Sequence, residues 1–296
     1  MLATFIIGLR EGLEAALIVG IIAAFLKRNG RSLTPMLVGV GAAILLSLGV
    51  GVGLRLVEMS LPQAAQEGME AIIGIVAIVF VTGMLLWMNS NAGGLKRHLE
   101  SSADHALGAG TGRALVVMAF LAVLKEGIET SVFLLATFSA STNAGLAATG
   151  ATLGILTAGV IGYGLYTGGM RLNLGRFFRF TSVFLLLVAA GLVMSTLGKM
   201  HGAGWLNAGQ AKTVDLSWLA PPGSVQGALF TGVLGIPPDP RVVQVIGWLL
   251  YVVPMAIYVY WPKKWRPGAR GAVRLRFGIA GALGVAALAM FAAIGP

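Results

Sequence analysis

Runs of about twenty apolar residues, separated by short polar stretches, recur along this chain, and a run of that length is what an α-helix needs to cross a bilayer. In lipid every backbone amide needs a partner within the protein, so such a sequence folds as a bundle of spanning helices. Hydropathy places spans near 3–26, 35–57, 68–88, 113–138, 145–169, 179–199, 242–261 and 275–294, about eight helices. The predicted fold class is all-α, a polytopic transmembrane helical bundle forming one domain over residues 1–296. Composition agrees: 57% of residues are hydrophobic and 11% charged, where a soluble domain has about 25% charged. The first run lacks a basic segment before it and a clear cleavage site, so it reads as a retained first helix.

A net charge of +10 would suggest nucleic acid in a soluble chain. Here the bases have another explanation. Lys27, Arg28 and Arg31 follow the first helix, Lys96 and Arg97 lie in the third connection, Arg171, Arg176 and Arg179 in the fifth, and Lys263, Lys264, Arg266, Arg270 and Arg274 in the seventh. The even connections have fewer, with Arg55 near the second and Lys212 and Arg241 in the sixth. Basic loops stay in the cytoplasm, which predicts a multi-pass protein of the inner or plasma membrane with both termini outside the cytoplasm and no nucleic-acid partner. The absence of cysteine excludes disulfides, thiolate nucleophiles and soft thiolate metal sites. Any metal must be held by oxygen, imidazole or thioether.

Two stretches break the apolar pattern in mid-run: Arg10-Glu11-Gly12-Leu13-Glu14, and 115 residues later Lys125-Glu126-Gly127-Ile128-Glu129. On a helix the two acids of each stretch share a face, and each base precedes the second acid by one turn. Each stretch keeps one net negative charge. Six unpaired charges at the membrane centre would cost roughly 15–20 kcal/mol, so they must face each other, water or an ion. A buried ion-pair network locking the first and fourth helices is the structural alternative, and two acids per base argue against it. Small residues at Gly8, Gly12, Ala16, Gly20 and Ala24, and at Gly127 and Ser131, form ridges that we expect to bring the first and fourth helices together. A third pair, Glu67 and Glu70, opens the third predicted helix without an adjacent base. It is read either as an outer cation-collecting pair or as favourable charge at a helix start. His98 and His105 fall in a polar connection, and Lys199 and His201 mark the outer end of the sixth helix.

The 115-residue shift also carries the second helix onto the fifth and the third approximately onto the sixth. This suggests repeat one over about 1–98 and repeat two over about 113–205, with additional helices over about 242–294. Each repeat has three spans, an odd number, so the copies would be inverted, a plan used by transporters with midplane sites.

The motif Arg10-Glu11-Gly12-Leu13-Glu14 resembles the R-E-x-x-E signature of the oxidase-dependent iron permease family, the fungal Ftr-type high-affinity iron permeases and the bacterial EfeU-type iron transporters. Leu9 to Gly20 resembles the family's first helix, and Glu67 to Met88, ending in Met84-Leu85-Leu86-Trp87-Met88, its third. The resemblance covers roughly residues 1–262. It implies a permease, not an enzyme, that moves iron as Fe3+ or Fe2+ into the cell with no permanently bound cofactor. It further implies metal ligation by Glu11, Glu14, Glu126 and Glu129, with Arg10 and Lys125 as countercharges. Glu70 matches a family acid on the third helix. A periplasmic or extracellular iron-delivery protein or oxidase is the implied partner besides the lipid bilayer, and a homo-oligomer is compatible. The chain departs from the family in having Lys125 where arginine is usual, and an eighth span beyond the usual seven. From the residues alone, transport of another divalent cation such as Mn2+ or Pb2+, an intramembrane di-metal oxidoreductase and a metal sensor remain as alternatives. Carboxylate-bridged di-metal bundles commonly add E-x-x-H histidines, and no central span here contains a histidine.

Overall fold

A computed structural model describes residues 1–28, 30–91, 112–141, 143–167, 174–213, 215–218 and 236–260, together with Pro221, Ser224 and Phe230. Its helices are α1 (Leu2–Arg28), α2 (Thr34–Met59), α3 (Gln63–Asn91), α4 (Gly112–Ala140), α5 (Ala144–Tyr166), α6 (Leu174–Gly202) and α7 (Val242–Tyr260). Apart from Phe230, which is helical, the other described residues are turns and coil, with one isolated antiparallel bridge between Lys212 and Arg241. Five stretches, Thr34–Met59, Gln63–Leu86, Ala144–Tyr166, Phe180–Gly202 and Val242–Val259, are long and apolar enough to cross a membrane. The chain is a multi-pass membrane protein. Helices α1 and α4 are longer still, at 27 and 29 residues, and it is their charged motifs that set them apart. The predicted eighth span at 275–294 lies outside the described residues, as do His98 and His105.

Local sequence explains the helix ends. Pro35 occupies the first turn of α2, where its missing N–H costs nothing. The side chain of Asn143 caps α5 by accepting a hydrogen bond from the Leu146 amide at 3.0 Å. Within the helices, hydroxyls turn back onto the preceding turn, as in Ser47 to the Ala43 carbonyl (2.8 Å), Thr130 to Glu126 (2.7 Å) and Thr137 to Phe133 (2.7 Å). No hydroxyl among these is left facing lipid unpaired.

The chain divides into two compact units, Met1–Ser60 with Trp87–Val183, and Leu61–Leu86 with Phe184–Pro296. In the first, α1 lies along α5 and α2 along α4, each pair parallel. Gly8 meets Ala151 and Ile155, Gly12 meets Ala158, Ala16 meets Gly162, and Gly20 meets Tyr166, so position rises on both helices together. On the other pair, Gly39 meets Val116, Gly127 meets Ser47, and Gly51 meets Ser131. The Ser131 hydroxyl also donates to the Ser47 carbonyl at 3.1 Å. A Cβ at Gly8 would come within 2.7 Å of the Ala151 carbonyl oxygen, and one at Gly12 within 2.7 Å of the Ala158 Cβ, so the backbones touch at these glycines.

This corrects one expectation from the sequence. The ridge Gly8-Gly12-Ala16-Gly20 does not pack on the fourth helix; it packs on the fifth, which brings a complementary ridge of Gly150, Gly154, Ala158 and Gly162. Gly127 and Ser131 likewise serve the second helix. The reason is steric: the closest backbone approach requires small residues on both partners, and α4 offers α1 a charged face instead.

In the second unit α3 and α6 run antiparallel, since Gly68 packs on Trp205, Gly74 on Thr196 and Glu70 on Lys199. Helix α7 joins α6 through Gly247 on Leu197 and Gln244, whose Nε2 donates to the Met194 carbonyl at 3.1 Å. It joins α3 through the Tyr251 and Thr82 hydroxyls, 2.9 Å apart. The stretch after α6 is tied down by Arg241, which donates to Gln210 Oε1 at 2.6 Å, and by the Lys212–Asp239 ion pair at 2.9 Å.

Candidate metal centre

Helices α1 and α4 meet at their charged faces. The Arg10 guanidinium pairs with Glu11 at 3.0 Å and Glu14 at 2.9 Å, and the Lys125 ammonium pairs with Glu126 at 3.0 Å and Glu129 at 2.9 Å. The one-turn pairs are those the spacing predicted. The contacts to the adjacent acids, Glu11 and Glu126, were not predicted: each base spreads its charge over both carboxylates of its motif.

Across the two helices, Glu11, Glu126 and Glu129 each offer one oxygen, and the three lie within 4.8 Å of one another. Oxygens on opposite sides of a single ion, at bond lengths of about 2.0–2.6 Å, stand about 4–5 Å apart, so three such atoms can close on one cation with little movement. Glu14 is held beside this group through Arg10. Three of its members, Arg10, Glu11 and Glu126, are buried. Glu11 Oε2 and Glu126 Oε2 are buried without a hydrogen-bond partner among the described residues, one on each helix. A carboxylate oxygen withdrawn from water needs a donor or a cation. With all six groups ionised, four carboxylates against two bases leave a net charge of −2.

The third acidic pair lies in the other unit. Glu70 pairs with Lys199 of α6, and Glu67 packs its carboxylate on the backbone of Gly202. The base missing next to this pair in sequence is thus supplied 129 residues later by Lys199, while His201 turns its Nδ1 to the Leu206 carbonyl at 3.0 Å. Helix α3 begins at Gln63, earlier than predicted, so Glu67 lies on its second turn and Glu70 at the start of its third, with no acid in the first. Sequence reasoning passed over one buried acid, Glu58, which lies near the end of α2 and pairs with Arg55. The Arg-x-x-Glu spacing inside a helical run was the available signal.

The helices and the buried charged group define a class: a multi-pass membrane protein that keeps four carboxylates and two bases on two of its helices. Comparison with known proteins narrows this. The sequence matches the iron permease FTR1 family over residues 1–290, and the chain belongs to that family. It is 41% identical over 268 residues to the ferrous iron permease EfeU of Escherichia coli O6:K15:H31 (strain 536 / UPEC), covering 89% of this chain and 97% of that one. It is 42% identical over 261 residues to the ferrous iron permease EfeU of Shigella sonnei (strain Ss046), covering 87% and 94%. The protein of that name from Yersinia pestis is 39% identical over 273 residues, covering 91% and 96%. No solved structure matches the chain. These relatives are permeases rather than enzymes, which sets aside the oxidoreductase alternative.

Proposed function

We propose that this protein carries iron into the cell as Fe2+, through the cluster of Glu11, Glu14, Glu126 and Glu129 at mid-membrane. The observation that carries the reading is the pair of buried oxygens, Glu11 Oε2 and Glu126 Oε2, which no donor among the described residues meets and which one cation between α1 and α4 would satisfy together. Charge favours a divalent ion: the cluster's net −2 is neutralised by Fe2+, whereas Fe3+ leaves a surplus positive charge in a medium that penalises it. The name ferrous permease, borne by the relatives, agrees with this. Arg10 and Lys125 hold the carboxylates until the ion arrives and repel it afterwards, so the same two bases that permit the site to exist assist release.

The arrangement of α1, α2, α4 and α5 supports an inverted repeat as the device for alternating access. A shift of 115 takes Gly12 to Gly127 and Ala16 to Ser131; a shift of 111 takes Ser47 to Ala158 and Gly51 to Gly162. The contacts Gly12–Ala158 and Ala16–Gly162 thereby become Gly127–Ser47 and Ser131–Gly51, all of which occur. Equivalent helices then approach the cluster from opposite sides of the membrane. Glu67 and Glu70, near the start of α3 after an outward connection, serve as the outer collecting pair, with Lys199 as its countercharge.

Iron flux into proteoliposomes tests this. Wild type should accumulate Fe2+, and Glu129→Ala and Glu11→Gln should each lose uptake while keeping the helical content of the folded protein. Wild-type uptake by Glu129→Ala would remove the cluster from the path. Competition by Mn2+ and Pb2+ in the same assay ranks the other divalent ions.

A further inference from the structure

We infer that iron leaves the cluster past Lys125, along a water-lined face of α4 that runs through Leu121 and Val117. The inference rests on the transport role proposed for the cluster and adds a route. Of the six charged side chains, five are closed off, with relative exposures of 0% for Arg10, 1% for Glu11, 12% for Glu14, 7% for Glu126 and 14% for Glu129. Lys125 is 61% exposed. The two motifs match in sequence, yet their bases do not match in surroundings: among the described residues only the second has an open side.

Lys125 stands thirteen residues into the 29-residue α4, about 20 Å from its start at 1.5 Å per residue. That is farther than a lysine stem can reach, so it cannot snorkel to the membrane surface. Its ammonium stays on Glu126 and Glu129 at 3.0 and 2.9 Å. A charged side chain open at this depth is costly against lipid and acceptable against water. The opening has one direction. Leu121 and Val117, one and two turns nearer the N-terminus of α4 on the same stripe, are 55% and 54% exposed, whereas Val132, Phe133, Leu135 and Ala136 on the far side of the motif are buried. With the N-terminus of α4 following a cytoplasmic connection, this face is the exit. Lys125 is then the movable base, swinging aside as the ion passes, and Arg10 the fixed one.

The chain contains no cysteine, so single-cysteine labelling reads the route directly. An anionic, membrane-impermeant methanethiosulfonate is applied to either side of the reconstituted protein, with Arg31→Cys marking the side of the first connection and Ser60→Cys the opposite side. Leu121→Cys and Val117→Cys should react from the Arg31 side, at least about tenfold faster than cysteines facing lipid, where a charged reagent is excluded. Leu45→Cys and Val160→Cys, at positions 72% and 71% exposed on α2 and α5, serve as the lipid references. Fe2+ should slow the reaction at Leu121→Cys, and adding Glu129→Ala should abolish that protection. Reaction only with a lipid-soluble maleimide, reaction from the Ser60 side, spontaneous cross-linking between copies, or labelling indifferent to Fe2+ would each overturn the exit route. The proteoliposome uptake assay on Glu129→Ala decides the cluster separately, so the two readings fail by different results.

Discussion

At the scale of single residues, the two bases do the same job under different conditions. Arg10 is wholly enclosed, so Arg10→Gln leaves Glu11 and Glu14 without their buried partner and should cost about 3–5 kcal/mol of stability, the usual penalty for breaking a buried pair. Lys125→Gln should cost less, because Lys125 has an open side, although Glu126 and Glu129 lose their base. Thermal unfolding of the two variants in one detergent checks the difference, and equal losses would contradict the asymmetry. Lys125→Arg should keep binding yet slow uptake, because a guanidinium fork holds both carboxylates in fixed geometry where an ammonium turns freely; single-turnover release of iron reads this. The charged motifs themselves were legible in the sequence, since charge in an apolar run is conspicuous. Lys199 as partner of Glu70 was not, because a contact over 129 residues leaves no local trace. Glu58 went unread because it lies near a span end, where an acid usually meets water.

At the scale of helices, small residues decide which faces touch. A Cβ at Gly154 would come within 2.8 Å of the Leu9 amide nitrogen, whereas one at Gly159, on the same helix, meets nothing within 4 Å. Gly154→Ala should therefore force α1 from α5 and cost about 1–3 kcal/mol. Gly159→Ala should be neutral or stabilise by about 0.5–1 kcal/mol. The same melting experiment compares them, and a harmless Gly154→Ala would mean that the two helices do not approach as described. Helix positions were readable from hydropathy to within several residues. The ridge on α1 announced a packed face without naming its partner: four-residue spacing of small side chains says how near another helix can come, and any helix with a matching ridge would satisfy it.

At the scale of the molecule, the compact units cut across the proposed repeats. The first holds the leading two helices of each repeat, α1 and α2 with α4 and α5, and the second holds most of the third helix of each, α3 and α6, with α7. Periodicity shows runs and shifts, but grouping of helices into units depends on contacts that no run reveals. Basic-loop counting predicts that Arg31→Cys reacts only with reagent in the cytoplasm and Ser60→Cys only with reagent outside; the reverse pattern would invert the whole bundle. The two oxygens without a partner among the described residues, one from each helix, bear finally on what the cell does not lose. Sodium caught between Glu11 and Glu126 would leave one negative charge uncompensated in a low-dielectric interior, and magnesium would have to shed tightly held waters to fit. On the path proposed above, sodium and magnesium are thereby disfavoured against Fe2+, so iron uptake need not leak their gradients.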